Sequence, residues 1–230
     1  ISSGTVQVTG AGLDISGTTT LVGGTVSVGT SLRTNGGAMS GGTLSGAGTF
    51  TTEGAFTWSG GSMTGGGLVV VRPGVTLTLD TAGYKDLSRV IEVEGSLDYT
   101  GSNLRFGPTT TAGMIHILPG ATFNAVGDGD FSVWNSGAHA IVNEGTFTRS
   151  GEGTTTVSSG IAFNTSGTVE VLEGTLQLLG GGIESGALLG PGLIEFAGGT
   201  HTLEAVSGTA DLQISSGTVQ VTGAGLDISG

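Results

Sequence analysis

The segment Ile1-Ser-Ser-Gly-Thr-Val-Gln-Val-Thr-Gly-Ala-Gly-Leu-Asp-Ile-Ser-Gly17 carries the pattern on which the fold turns, and it returns without a change as Ile214 to Gly230. Within it a glycine leads a short run of alternating polar and apolar residues, Gly4-Thr-Val-Gln-Val8. The same landmark recurs at Gly24, Gly48, Gly74, Gly95, Gly120, Gly145, Gly167, Gly192 and Gly217. The spacings are 20, 24, 26, 21, 25, 25, 22, 25 and 25, nine intervals that run from Gly4 to Gly217. Ile214 stands at the same total distance from Ile1. A period of this size marks a repeat architecture, in which each unit buries its apolar face only by stacking on its neighbours.

Each unit reads as three short strands with a two-residue period. From Gly145 these are 146–149, 154–157 and 161–164; from Gly167, 168–171, 175–179 and 187–189; from Gly192, 193–196, 200–203 and 211–214. Pro73-Gly74, Pro119-Gly120, Pro191-Gly192, Glu94-Gly95 and Glu144-Gly145 place a glycine with access to positive φ at the corners. The expected fold is all-β: a right-handed parallel β-helix or related β-solenoid of about nine coils of ~24 residues, three short strands per coil and no significant helix. Thr81 to Arg89 breaks the pattern with charge and an aromatic ring, and reads as a loop or single helical turn bulging from one corner. Alternation points Val6, Val8, Val26, Val28, Phe50, Leu77, Leu79, Leu97, Tyr99, Phe123, Phe147, Val169, Val171, Ile194 and Phe196 inward, stacked like on like. Their Thr, Ser, Gln, Asn, Asp and Glu neighbours face water.

Composition narrows the function. The 48 glycines follow no Gly-X-Y period and there are 4 prolines, which excludes collagen; 36% hydrophobic residues exclude a disordered chain. Six basic residues against 18 acidic ones, a net charge of −12, argue against nucleic acid and anionic lipid as partners. The same shortage of Lys and Arg removes trypsin-like cleavage sites, which suits an exposed protein. There is no cysteine, so no disulfide scaffold or thiolate metal site. No run of about 18 apolar residues is present to span a membrane.

Gly167-Thr-Val-Glu-Val-Leu-Glu-Gly-Thr-Leu-Gln-Leu-Leu-Gly-Gly-Gly182, Gly192-Leu-Ile-Glu-Phe-Ala-Gly-Gly-Thr-His-Thr-Leu203 and Asn143-Glu-Gly-Thr-Phe147 resemble the repeats of large bacterial surface β-solenoids. These include filamentous-haemagglutinin-like proteins, autotransporter passenger domains and giant tandem-repeat proteins of environmental bacteria. The resemblance covers most of the chain and implies an extracellular or cell-surface structural or adhesive role. It carries no catalytic residues across.

Several constellations invite chemistry and have plainer readings. Asp128 and Asp130 lack the repeated Gly/Asp offsets of a calcium-binding solenoid, with Phe131 where the next Asp belongs, and read as a polar turn. The carboxylate pairs Glu92/Glu94 and Glu170/Glu173 invite a glycosidase reading, but Glu92 and Glu94 alternate with Ile91 and Val93 on one solvated strand face and no Lys/Arg cluster accompanies them. His116, His139 and His201 alternate with apolar or small neighbours and read as outward strand residues, the first two about one coil apart. Thr-X-Thr at Thr49/Thr51, Thr76/Thr78 and Thr146/Thr148 suggests an ice-binding ladder that the other coils do not continue. Trp58 and Trp134 read as core or corner packing, and their exposure together on one face would favour glycan binding. No catalytic, cofactor-binding or metal site is assigned, and the chain is expected not to be an enzyme.

The expected organisation is one nine-coil repeat, residues 1–213, and the start of the next identical one, 214–230, in continuous register. Natural tandem repetition and an engineered duplication have the same sequence. Neither end reads as a polar cap, and nine coils at about 4.8 Å give on the order of 43 Å per repeat. The expected role is a structural, filament-forming extracellular fibre whose partner is itself. The alternative is an adhesin or binding module for a surface glycan, a neighbouring cell or ice.

Overall fold

The computed structural model describes residues 1–80, 83–101 and 104–228, and among them every strand pairing is parallel. The chain winds as a β-solenoid with three ladders. The first ladder starts with Thr5–Val8, Thr25–Val28 and Thr43–Ser45. The second starts with Leu13–Ile15, Ser31–Thr34 and Thr49–Thr52, and the third with Thr19–Leu21, Gly37–Met39 and Phe56–Trp58. Four long strands, Gly61–Val71, Lys85–Val93, Leu193–Gly208 and Asp211–Ile228, bend round corners and serve more than one ladder. No helix is present among the described residues.

Tracing each ladder coil by coil gives eleven coils rather than nine, shorter on average than the sequence period suggests. The miscount has a definite cause: the glycine-led landmark does not keep to one ladder. It opens the first ladder at Thr5 and Thr25, the second at Thr49, and the third at Thr76, Ser96, Thr122, Thr146 and Thr168. It returns to the first at Leu193 and the second at Thr218. The intervals Gly24 to Gly48, Gly48 to Gly74, Gly167 to Gly192 and Gly192 to Gly217 therefore hold four strands rather than three.

One of the overlooked strands, Gly182–Glu184, is inverted. Its only large apolar residue, Ile183, is 49% exposed, and Glu184 is the side chain that points inward. A period-2 search for buried apolar positions passes over such a strand. Another, residues 206–208 within Leu193–Gly208, contributes the buried Val206.

The inward residues form one continuous core along the axis. Every side chain expected inside is buried except Val6, which is 39% exposed in the first coil. Like stacks on like where one landmark ladder persists: Leu77 pairs in register with Leu97 and Phe123 with Phe147, the last two rings 4.8 Å apart and 13° from parallel. Each such aliphatic or aromatic burial contributes about 1.5–3 kcal/mol. Elsewhere the switch of ladder mixes the stacks, so Phe50 lies on Leu32 rather than on Val26.

Two further expectations change. Lys85 to Arg89 belongs to the strand Lys85–Val93, whose start pairs in register with Gly61–Thr64 and with Leu104–Phe106, so it does not bulge. Thr81 and Ala82, the start of that expected loop, lie outside the described residues. At the corners, Gly74 and Gly120 adopt φ of 76° and 84° as expected, whereas Gly95, Gly145 and Gly192 are not at positive φ. There glycine is required by proximity: a Cβ on Gly95 would stand 2.3 Å from the Val75 carbonyl oxygen of the preceding coil.

Candidate functional site

The polar groups singled out in the sequence do not converge on a cleft. Glu94 pairs with Arg72 at 2.8 Å, and Glu92 stands in register with His116 of the next coil. Glu170 lies in the outward column after Thr148. Asp128 accepts from the Arg149 guanidinium at 2.7 Å and from the Gly153 amide at 3.0 Å, and Asp130 from the Thr156 amide at 2.7 Å. Both aspartates thus tie one coil's turn to the next. Among the described residues no cluster of three or more His, Cys, Asp or Glu is arranged to hold a metal ion.

Of the three histidines, only His116 faces outward, with Nε2 at 3.4 Å from Glu144. It is in register with Val142, so it does not stack on His139. His139 is buried because its ring is satisfied by backbone: Nδ1 accepts the Gly113 amide at 3.0 Å and Nε2 lies 3.0 Å from the Asn135 carbonyl. That pair of contacts selects the neutral tautomer with the proton on Nε2. His201 is also buried, with Nδ1 at 2.7 Å from the inward carboxylate of Glu184. Gly182, in register with His201, contributes no side chain to the core column there. Burial raises the Glu184 pKa above the usual carboxylate range, against the pull of its hydrogen bond to His201.

Arg89 is a third inclusion that strand alternation does not announce. It is 1% exposed, and its guanidinium donates to the carbonyls of Gly67 at 3.1 Å, Gly46 at 3.2 Å and Gly48 at 2.9 Å. One side chain therefore reaches the corners of two earlier coils. Desolvation lowers its pKa to about 10, so it stays charged at neutral pH.

On the surface, Trp134 and Tyr84 are 56% and 55% exposed. The Arg105 guanidinium lies between them, 4.1 Å from the indole centroid and 3.8 Å from the phenol centroid, and binds Asp86 bidentately at 2.8 and 3.1 Å. Trp58, by contrast, is fully buried. The two tryptophans are not on one face, and the exposed aromatic partner of Trp134 is Tyr84. Sequence reasoning missed this cluster because Tyr84, Arg105 and Trp134 belong to successive coils that pack together only after winding.

The remaining feature is the repeated segment itself. Asp211–Ile228 runs from unique sequence into the copy and pairs in parallel with Leu193–Gly208 on both sides of the seam, Glu195 with Gln213 before it and Phe196 with Ile214 after it. The inward residues of the first and last coils are the most open of the core positions: Leu13 is 43% exposed, Val221 52% and Leu226 41%. Ser229 and Gly230 lie outside the described residues. Comparison with protein-family models, curated proteins and solved structures returned no match.

Proposed function

We propose that the chain is a structural, non-enzymatic segment of an extracellular or cell-surface fibre, in which repeats of the Ile1 to Gln213 unit continue one solenoid coil on coil. The observation that carries this reading is the unbroken ladder at the seam: a copied first-coil sequence is accepted into the eleventh coil and pairs in register with the tenth, with no break between Glu195–Gln213 and Phe196–Ile214. Parallel ladders that run on in this way propagate without closing. The acidic composition and the shortage of Lys and Arg support an exposed location. Electron microscopy of native or concatenated material tests it. Unbranched thin fibres support the proposal, and compact separate particles from a multi-repeat chain sink it.

A second reading has its own observation. The exposed Tyr84–Arg105–Trp134 stack beside Asp86 combines ring faces with a fixed guanidinium and carboxylate, the combination that suits a sugar ring. In this reading the fibre displays a glycan-binding patch. A glycan array probed with the intact chain and with Trp134→Ala separates display from pure scaffolding.

A further inference from the structure

The two copies of the opening segment do not occupy equivalent places. Thr5–Val8 lies in the first ladder, paired with Thr25–Val28. Its copy, 218–221, pairs with Thr200–Leu203, which belong to the second ladder through Gly182–Glu184 and Ile161–Thr165. Leu13–Ile15 lies in the second ladder, and its copy, 226–228, lies in the third, against Val206–Gly208. From Thr5 to Thr218, therefore, the chain advances by ten coils and one further ladder.

The backbone shows why the segment accepts either place. Gly4, Gly10 and Gly12 adopt φ of 76°, 69° and 96°, and their counterparts Gly217, Gly223 and Gly225 adopt 83°, 64° and 95°. The segment carries its own corner, and that corner fits between the first and second ladders or between the second and third. Inward and outward faces are also kept: Val6 meets Val26, and Val219 meets His201, both core columns. All three ladders share the two-residue period, so a strand that moves by a whole ladder keeps its face.

We propose that successive repeats of this chain enter the fibre turned by one third of a coil, so that every residue returns to its starting ladder only after three repeats. This deepens the fibre reading above and rests on it. Three repeats, each of ten coils and a third, close on a whole number of coils and span about 150 Å at roughly 4.8 Å per coil, against about 50 Å for one repeat. A lone surface feature such as the Tyr84–Arg105–Trp134 stack then projects along three directions in turn. A bend built into one repeat by its unequal coils is cancelled over three, which keeps a long fibre straight.

The chain has no cysteine, so engineered pairs read the register directly. Thr202 is in register with Gln220 when the copy is turned by a third of a coil. A repeat of whole coils, in which the landmark interval from Gly192 to Gly217 is one coil, instead places Thr202 against the residue the same distance ahead, Asp227. Stacked strands lie about 4.8 Å apart, within disulfide reach. The expected result is that Thr202→Cys/Gln220→Cys loses both free thiols under mild oxidation in the folded chain while Thr202→Cys/Asp227→Cys keeps them. The reverse result overturns the proposal. Ser207→Cys/Asp227→Cys, in register in the third ladder, provides a second pair with the same expected closure should Thr202 variants fold poorly. Image reconstruction of a four-repeat chain then reads the phase within each rod, where repeats with no ladder change also overturn it. Failure of rods to form sinks the fibre reading and is distinct from a wrong disulfide pair.

Discussion

The end coils and the middle coils solve the same packing problem with different amounts of chain. Along the second ladder, Leu32 meets Phe50 and His201 meets Val219 after short circuits, whereas the circuits that bring Ile91 to Ile115 and Ile115 to Ile141 are longer by about a strand and a turn. The lean coils hold Val, Leu and Met around a few rings, Phe50, Phe56, Trp58 and Phe196, and turn on glycines pressed against the preceding coil. The wide ones enclose Phe106, Phe123, Phe131, Phe147, Phe163 and Tyr99 and have room for longer polar turns such as that of Asp128. Longer coils thus admit longer turns and more rings, while close corners occur in both: a Cβ on Gly129, in a wide coil, would stand 1.7 Å from the Gly101 carbonyl oxygen.

The contrast is open to attack, most strongly at the aromatic stack. Phe147→Ala, in a wide coil, removes a ring stacked on Phe123 and edge-on to Phe163, and is expected to cost ~3–5 kcal/mol in denaturant unfolding. Val26→Ala in a lean coil removes a smaller buried side chain and is expected to cost less, and an equal loss there would break the contrast. Arg89→Ala leaves the Gly46, Gly48 and Gly67 carbonyls without their buried donor, at ~1–3 kcal/mol for each group that water cannot reach. Its effect should be felt by the coils that supply those carbonyls, as faster amide exchange there.

Corner substitutions probe how closely successive coils approach. A Cβ on Gly186 would stand 1.7 Å from the Gly167 carbonyl oxygen, while one on Gly66 meets nothing within 4 Å. Gly186→Ala is therefore expected to lower the unfolding midpoint clearly, and Gly66→Ala to change stability by less than about 0.5 kcal/mol. A tolerated Gly186→Ala would show that the lean corners have slack.

Proton linkage gives a smaller, signed effect at the lean end. Because the folded-state pKa of Glu184 is raised, the native chain binds the proton more tightly than the unfolded chain. Its contribution is intact below the ordinary glutamate pKa and is lost as pH rises through the folded value. Glu184→Gln, which keeps a hydrogen-bonding group beside His201, should gain stability relative to the parent chain as pH rises from 4 to 8. A parallel pair of stability curves would refute the buried carboxyl. Trp134→Ala is expected to move stability least, within about ±0.5 kcal/mol, because the ring lies on the surface.

Much of this architecture was legible along the chain. The strands read from the units at Gly145, Gly167 and Gly192 are all present, and nearly all the alternating apolar residues are inside. What escaped was the inverted strand at Gly182–Glu184 and the buried Arg89, Arg149, His139 and His201. Each of these polar side chains is tolerated because a partner from another part of the winding meets it: the Glu184 carboxylate for His201, the Gly113 amide for His139, glycine carbonyls for Arg89, Asp128 for Arg149. Sequence alternation describes one strand at a time and contains no information about such partners.

The amino-acid sequence alone determined that strands are short, that glycines turn the corners, which side of each strand is apolar and that the segment Ile1 to Gly17 recurs. These are local properties, set by side-chain alternation and by φ at single residues. Only the tertiary structure decided which ladder each strand joins, and with it the count of eleven coils and the displacement of the copy by a third of a coil. The reason is physical: the three ladders share the same period and accept the same corner, so a glycine-led strand fits any of them. The choice is made by residues a full coil away along the chain, which pair with it from the neighbouring coils.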